Sequence, residues 1–203
     1  MTPLRTLRPL VNIEKVIVEF FNDPPKECGV ISNERALQLE LAYFLRSKGY
    51  KCTFEKNLPL PRPPLSTVKP KSWLDLLVSD GEKQTAIELK VPLNGQHPET
   101  IYSFCMDIEF VEAILRNKNA HFGLCVFLTN DPVFWTDSGR GSEIHNFFRE
   151  KGNKISGEIQ KPTGTKETSV YIQGNYETWN KWQNFHDEKI MKNAQYLILP
   201  INL

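Results

Sequence analysis

The chain predicts an α/β fold in which helices flank a mixed central sheet, built in the order helix, three strands, helix, strand. Three observations lead there. A helix-spaced segment at 32–48 precedes two short apolar runs separated by Ser79, Asp80 and Gly81, which is a hairpin signal. A second helix-spaced segment follows at 99–117. Then comes an unbroken apolar run, residues 122–129, of the kind found in strands covered on both faces. With 203 residues, a single domain spanning 1–203 is expected, with its core at about 32–130 and a C-terminal elaboration at 131–203.

Residues 12–21 are compatible with a helix or a strand, because Val16, Ile17 and Val18 favour a strand while Ile13, Val16, Ile17 and Phe20 keep helical spacing. Asp23, Pro24 and Pro25 end that element. The helix at 32–48 has Ser32 or Asn33 as its N-cap and Gly49 just past its end. A strand at 50–55 leads into a stiff, basic loop at 56–71 with five prolines, and the two hairpin strands are expected at 73–78 and 84–91. After the run at 122–129 the sequence predicts a helix at 142–150, a polar stretch rich in Gly and Lys, a short strand over 168–173, an aromatic-rich helix at 175–186 and a closing strand QYLILPI. In that second helix Tyr176, Trp179, Trp182 and Phe185 stand at helical spacing, a pattern of core packing more than of base stacking.

Apolar residues make up 40% of the chain and charged residues 24%, values of a folded globular protein. The net charge of +1 excludes binding of nucleic acid through a general basic surplus, so any such contact has to come from a local patch. Cys28, Cys52, Cys105 and Cys125 include no CxxC pair, which argues against a structural zinc site, and His121, His145 and His186 lack ligand spacing. Arg5, Arg8, Glu14 and Lys15 interrupt the N-terminal apolar stretch. The expectation is therefore a cytoplasmic protein without a membrane segment.

The chemistry concentrates in the hairpin. Side chains alternate along a strand, so Glu88 and Lys90 point to one side and Ile87, Leu89 and Val91 to the other. A turn of two or four residues puts Asp75 on the side of Glu88, either directly opposite it or displaced by two. Two carboxylates and an ammonium then converge. Neighbouring carboxylates repel unless a cation lies between them, and Mg²⁺, with its preference for hard oxygen ligands, suits the position. The alternative is a half-buried ion pair between Asp75 and Lys90 with a structural role.

An aspartate, twelve residues, then glutamate, any residue and lysine on a hairpin, preceded by a helix with an inward glutamate, resembles the PD-(D/E)XK nuclease superfamily. The likeness covers roughly residues 32–130, and Leu74 stands where the motif's name has proline. It implies a restriction-endonuclease-like αβββαβ core with Mg²⁺ or Mn²⁺ held by Asp75, Glu88 and the Leu89 carbonyl. Lys90 is then the residue that positions or activates the attacking water. The activity implied is hydrolysis of phosphodiester bonds, with DNA as the expected partner; the rival class is a binding module for nucleic acid or protein that keeps the fold without cutting. Cutting of both strands implies a homodimer, for which no interface is identified in the sequence.

The helix at 32–48 is expected to add one more acid. On a helical wheel Glu40 falls near the middle of a side formed by Ala36, Leu37, Leu41, Tyr43 and Phe44, which favours it as a further catalytic and metal-shell acid. Glu34 is the second candidate, although an acid in a first turn also offsets the helix dipole. In the proline-rich loop, Lys56, Arg62, Lys69 and Lys71 are candidates for contact with a nucleic-acid backbone, against the reading of the loop as a solvated spacer. His97, in a stretch with Asn94 and Gln96, reads as a loop histidine within reach of a substrate or simply in solvent.

Overall fold

The structure, a computed structural model, describes residues 12–92, 95, 97–136, 142–164 and 168–203. The ambiguous segment after residue 12 is a helix, α1 (Ile13–Asn22): the Asn12 side chain accepts from the Glu14 amide at 3.0 Å, and Val16, Ile17, Phe20 and Phe21 form one buried stripe. Helix α2 (Glu34–Ser47) starts at Asn33, whose side chain accepts from the Ala36 amide at 2.9 Å. It ends just before Gly49, where φ is 90° and a side chain would be strained.

Strands β1 (Lys51–Asn57), β2 (Trp73–Ser79) and β3 (Gln84–Lys90) form an antiparallel meander. The β2–β3 turn holds four residues. Asp80 closes it by accepting from the Glu82 and Lys83 amides at 3.0 and 2.8 Å, and Gly81 supplies a φ of 107°. Helix α3 (His97–Arg116) crosses over to β4 (Phe122–Thr129), which runs parallel to β3 with Glu88 beside Cys125 and Lys90 beside Phe127.

The chain after β4 departs from the expected pattern. A short 3₁₀ turn (Glu143–His145) runs into the four-residue helix α4 (Asn146–Arg149), in place of a full helix over 142–150. The polar stretch contains a strand, β5 (Lys154–Gln160), which pairs with β6 (Ser169–Glu177) as a separate two-stranded ribbon. The expected helix at 175–186 is absent: Tyr176 belongs to β6, Asn180 takes a φ of 59°, and a two-residue strand β7 (Gln183–Asn184) follows. Helical spacing of the aromatics is met by scattered packing instead, with Trp182 against Trp135, Phe127 and Phe148, and Phe185 against Phe21. Strand β8 (Gln195–Ile201) closes the sheet, whose order is β1-β2-β3-β4-β8-β7.

The result is an α/β arrangement with a mixed six-stranded sheet and, among the described residues, four α-helices. Leu76, Val78, Ile87, Leu89, Val126, Leu128 and Tyr196 face α1 and α2. Cys125, Phe127, Leu197 and Leu199 face α3 and the β5–β6 ribbon. At Gly123 in β4 a Cβ would run into Val111 of α3, so helix and strand touch backbone-close there. Among the described residues no helix is long and apolar enough to cross a membrane.

Candidate metal centre

The β2–β3 pairing follows a single register, with Leu76 opposite Ile87 as its last pair. Continued by one step, it sets Asp75 across from Glu88. There the strands part: the Leu89 amide is taken by the Asp75 carboxylate, at 2.8 Å from Oδ2. The N–H and C=O of one strand residue share an edge, so the Leu89 carbonyl opens into the same gap. Asp75, Glu88 and Lys90 lie together on the α3 side of the sheet, while Ile87 and Leu89 enter the opposite core.

Glu88 is essentially inaccessible, at 1% exposure. Its Oε2 binds the Lys71 ammonium, while its Oε1 has no hydrogen-bond partner. The carboxyl groups of Glu88 and Asp75 stand within hydrogen-bonding reach of each other, and neither has a proton to donate when ionised. Burial first, and the neighbouring Asp107 carboxylate second, push Glu88 well above the usual carboxylate range. Burial likewise raises Asp75, against the pull of Lys71 and of the Leu89 amide.

Two partners were not expected at the centre: Asp107 had no place in the sequence-based expectation, and Lys71 had one only as a contact for a nucleic-acid backbone. Asp107 of α3, 2% exposed, lies 2.6 Å from Lys71 Nζ through Oδ1 and 3.1 Å from Lys90 Nζ through Oδ2. Lys71 reaches in from the end of the proline-rich loop and bridges Glu88 and Asp107. Burial disfavours charge on Lys71 and Lys90, but the carboxylates around them outweigh it and raise both. Lys71 is thus turned into the centre and not outward along a polynucleotide.

Of the two helix glutamates, Glu34 is the one beside the hairpin charges. Its Oε1 lies 3.2 Å from Lys90 Nζ and accepts from the Val91 amide at 3.4 Å. Glu40 instead accepts from the Gly29 amide at 3.1 Å, beside Cys28, whose thiol is pushed up to about 12 by burial and by that carboxylate. The reason is the true orientation of α2. Its buried arc runs through Leu37, Gln38, Leu41, Ala42, Phe44 and Leu45, and at 100° per residue Glu34 projects from the centre of that arc, with Glu40 about 120° away. Tyr43, counted on the apolar side, is 64% exposed. Gln38, on the same arc as Glu34, donates to the Asp75 carbonyl at 2.5 Å and to Glu55 Oε1 at 3.3 Å, which anchors β2 where it leaves β3.

Of the other basic residues expected in the loop, Lys56 belongs instead to β1 and is exposed, Lys69 is exposed, and Arg62 donates to the Ser66 carbonyl at 2.6 Å. The loop is strapped down rather than free: Val68 is buried, Ser66 donates to Glu109 at 3.2 Å, and Thr67 accepts from the Ser169 amide at 2.6 Å. His97 is the first residue of α3 and not a loop residue; its Nε2 is 2.7 Å from Asp131 Oδ2. Asn94 and Gln96, like Arg5 and Arg8, lie outside the described residues.

With every group ionised, Asp75, Glu88, Asp107 and Glu34 outweigh Lys71 and Lys90 by two negative charges. Among the described residues no three acid, His or Cys side chains are gathered as a ready metal cage. The donor set nevertheless fits a small divalent ion: hard oxygens only, two neighbouring carboxylates, a carbonyl at the gap, and one buried carboxylate oxygen without a donor. No family model matches the chain, and neither does any curated protein or solved structure compared with it.

Proposed function

We propose that this chain is a metal-dependent nuclease that hydrolyses phosphodiester bonds in DNA, with a restriction-endonuclease-like core and Asp75, Glu88 and Lys90 as its centre. The observation that carries the reading is the pair of carboxylates at the parting of β2 and β3, side by side, with the buried Glu88 Oε1 lacking a donor. Buried carboxylate oxygens ordinarily find a partner, and a cation between the two acids would supply one here. The order of helix, three-strand meander, crossover helix and parallel strand agrees with the core that the sequence resemblance implies.

Asp75, Glu88 and the Leu89 carbonyl would hold Mg²⁺ or Mn²⁺. The chemistry supplied by the bound ion is polarisation of the phosphate and a lower pKa for the attacking water. Lys90, kept cationic by Asp107 and Glu34, orients that water and offsets charge developing on the phosphate. Gln38 and the Leu89 amide hold Asp75 in place from two sides. Exposed Lys56 and Lys69 offer a backbone-binding flank.

Plasmid and single-stranded DNA incubated with Mg²⁺ or Mn²⁺ test the reading. Wild-type protein is expected to cut, and Asp75→Ala and Lys90→Ala to lose at least a hundredfold in rate; cleavage indifferent to both substitutions would remove the proposal. A second reading, a binding module on the same fold, draws on the internal pairing of both lysines with acids. Calorimetric titration with a divalent ion separates the two, since a binding module needs no metal.

A further inference from the structure

We propose that Lys71 is a built-in counter-cation that holds the place of a divalent metal, and that Asp107 is a further carboxylate of that metal site. The inference rests on the reading of Asp75 and Glu88 as metal ligands. The ammonium lies between Glu88 Oε2 and Asp107 Oδ1 and over the Phe110 ring. These two carboxylates are almost inaccessible; Asp107 Oδ2 faces the Lys90 ammonium at 3.1 Å, whereas Glu88 Oε1 has no hydrogen-bond donor. A permanent structural ion pair at such depth needs its remaining lone pairs satisfied, because desolvation otherwise outweighs the attraction. Here Glu88 receives one ammonium, that of Lys71, and its second oxygen has no donor, so the Glu88 end of the cluster has room for a further positive charge.

Lys71 is placed to leave. It is the last residue but one before β2, at the end of a proline-rich loop, and its side chain is 30% exposed although its tip is bound among buried acids. Lys90, by contrast, sits mid-site on β3, is 13% exposed, and is braced by Glu34 as well as by Asp107. A divalent ion entering between Glu88 and Asp107 replaces one positive charge by two. The Lys71 ammonium then turns toward solvent or toward a substrate phosphate, whose charge it matches. Metal-free protein is thereby kept from collapsing around unpaired carboxylates, and metal affinity is set by competition with a tethered cation at a very high local concentration.

The test is Mn²⁺ binding by calorimetry and by electron paramagnetic resonance on the full chain, comparing wild type, Lys71→Met and Asp107→Asn. Lys71→Met is expected to bind Mn²⁺ at least tenfold more tightly than wild type, and Asp107→Asn at least tenfold more weakly. If wild type binds Mn²⁺ and Lys71→Met binds it equally or less well, the inference is overturned while the metal-site reading stands. Absence of Mn²⁺ binding in wild type and variants alike overturns both. A measurement on unaltered protein guards against a misfolded variant: labelling of Lys71 by an amine-reactive reagent, read by mass spectrometry, should rise several-fold on addition of Mn²⁺. Labelling that Mn²⁺ leaves unchanged, in protein that binds the ion, refutes the displacement.

Discussion

Replacing Asp75 by asparagine should make the metal-free protein more stable while abolishing its metal chemistry. Asparagine keeps an oxygen for the Leu89 amide, which Asp75 now binds at 2.8 Å, and brings an N–H₂ group to the Glu88 carboxyl, one oxygen of which, Oε1, has no donor. Leaving a buried acceptor unsatisfied costs about 1–3 kcal/mol. Relief of repulsion between adjacent carboxylates adds to the gain, and loss of the attraction to Lys71 subtracts from it; Lys71 keeps Glu88 and Asp107. A net gain of about 1–2 kcal/mol is expected, or roughly 2–8 °C in Tm for a chain of this size. The assay is thermal unfolding by circular dichroism with a chelator present, with Asp75→Ala as control. Alanine leaves the Leu89 amide without its acceptor, so it should not gain. The pH response has a definite sign. Burial raises the folded-state pKa of Asp75 above its ordinary 3.8, so the folded state binds the proton more tightly, and stability falls as pH climbs from the ordinary value through the folded one. In Asp75→Asn that decline should shrink. An asparagine variant less stable than wild type in chelator, or one that still cleaves DNA, would refute the reasoning.

Other expectations follow from the same geometry. Glu34→Gln should lower the metal-dependent cleavage rate by about tenfold or more through loss of the brace on Lys90, whereas Glu40→Gln should leave it within twofold; initial rates on plasmid decide between the two helix acids. Glu112, fully buried, accepts from the Gln173 and Gly174 amides and from the Tyr176 hydroxyl at 2.7–2.9 Å, so Glu112→Ala should cost roughly 3–5 kcal/mol in urea unfolding, mainly through the two stranded amides. His145 is buried and its pKa is lowered, chiefly by that burial. The unfolded chain therefore takes up a proton first as pH falls below 6.5, so this contribution is full above that pH and is lost progressively below it; His145→Gln should flatten the slope in unfolding experiments between pH 5 and 8.

The hairpin half of the centre was legible because strand geometry has a strict period of two: an even turn fixes which side chains share a face, and Asp80 and Gly81 supply such a turn. The helix half was less so. A wheel drawn from composition alone is tilted by apolar residues that end up in solvent, and Tyr43 and Leu39, 64% and 61% exposed, hid the fact that Glu34 and not Glu40 stands over the sheet. Lys71 and Asp107 required knowledge of which segments cross the gap, which tertiary packing alone decides. A signal did exist in α3, where Asp107, Glu109 and Glu112 are set among Ile108, Phe110 and Val111. Carboxylates in an apolar run must find partners, and these find Lys71 and Lys90, the Ser66 hydroxyl with the Tyr171 amide, and the β6 backbone. Of the β5–β6 ribbon, the strand expected over 168–173 falls on β6, but β5 was missed, since it has only Ile155 and Ile159 as buried apolar side chains, too sparse a pattern to read as a strand.

The absent side chain at Gly123 bears on the acid and lysine cluster through helix α3. With no Cβ between them, Val111 of α3 seats directly on β4, and Asp107 stands one helical turn before Val111 on the same rail. That seat works as a depth gauge: it sets how far the Asp107 carboxylate projects toward Lys71 and Lys90. Gly123→Ala would set a Cβ 2.3 Å from Val111 Cγ1, so Val111 or the helix that carries it would have to give way, and a lifted helix would be felt as slack in an ion cluster that the substituted residue never touches.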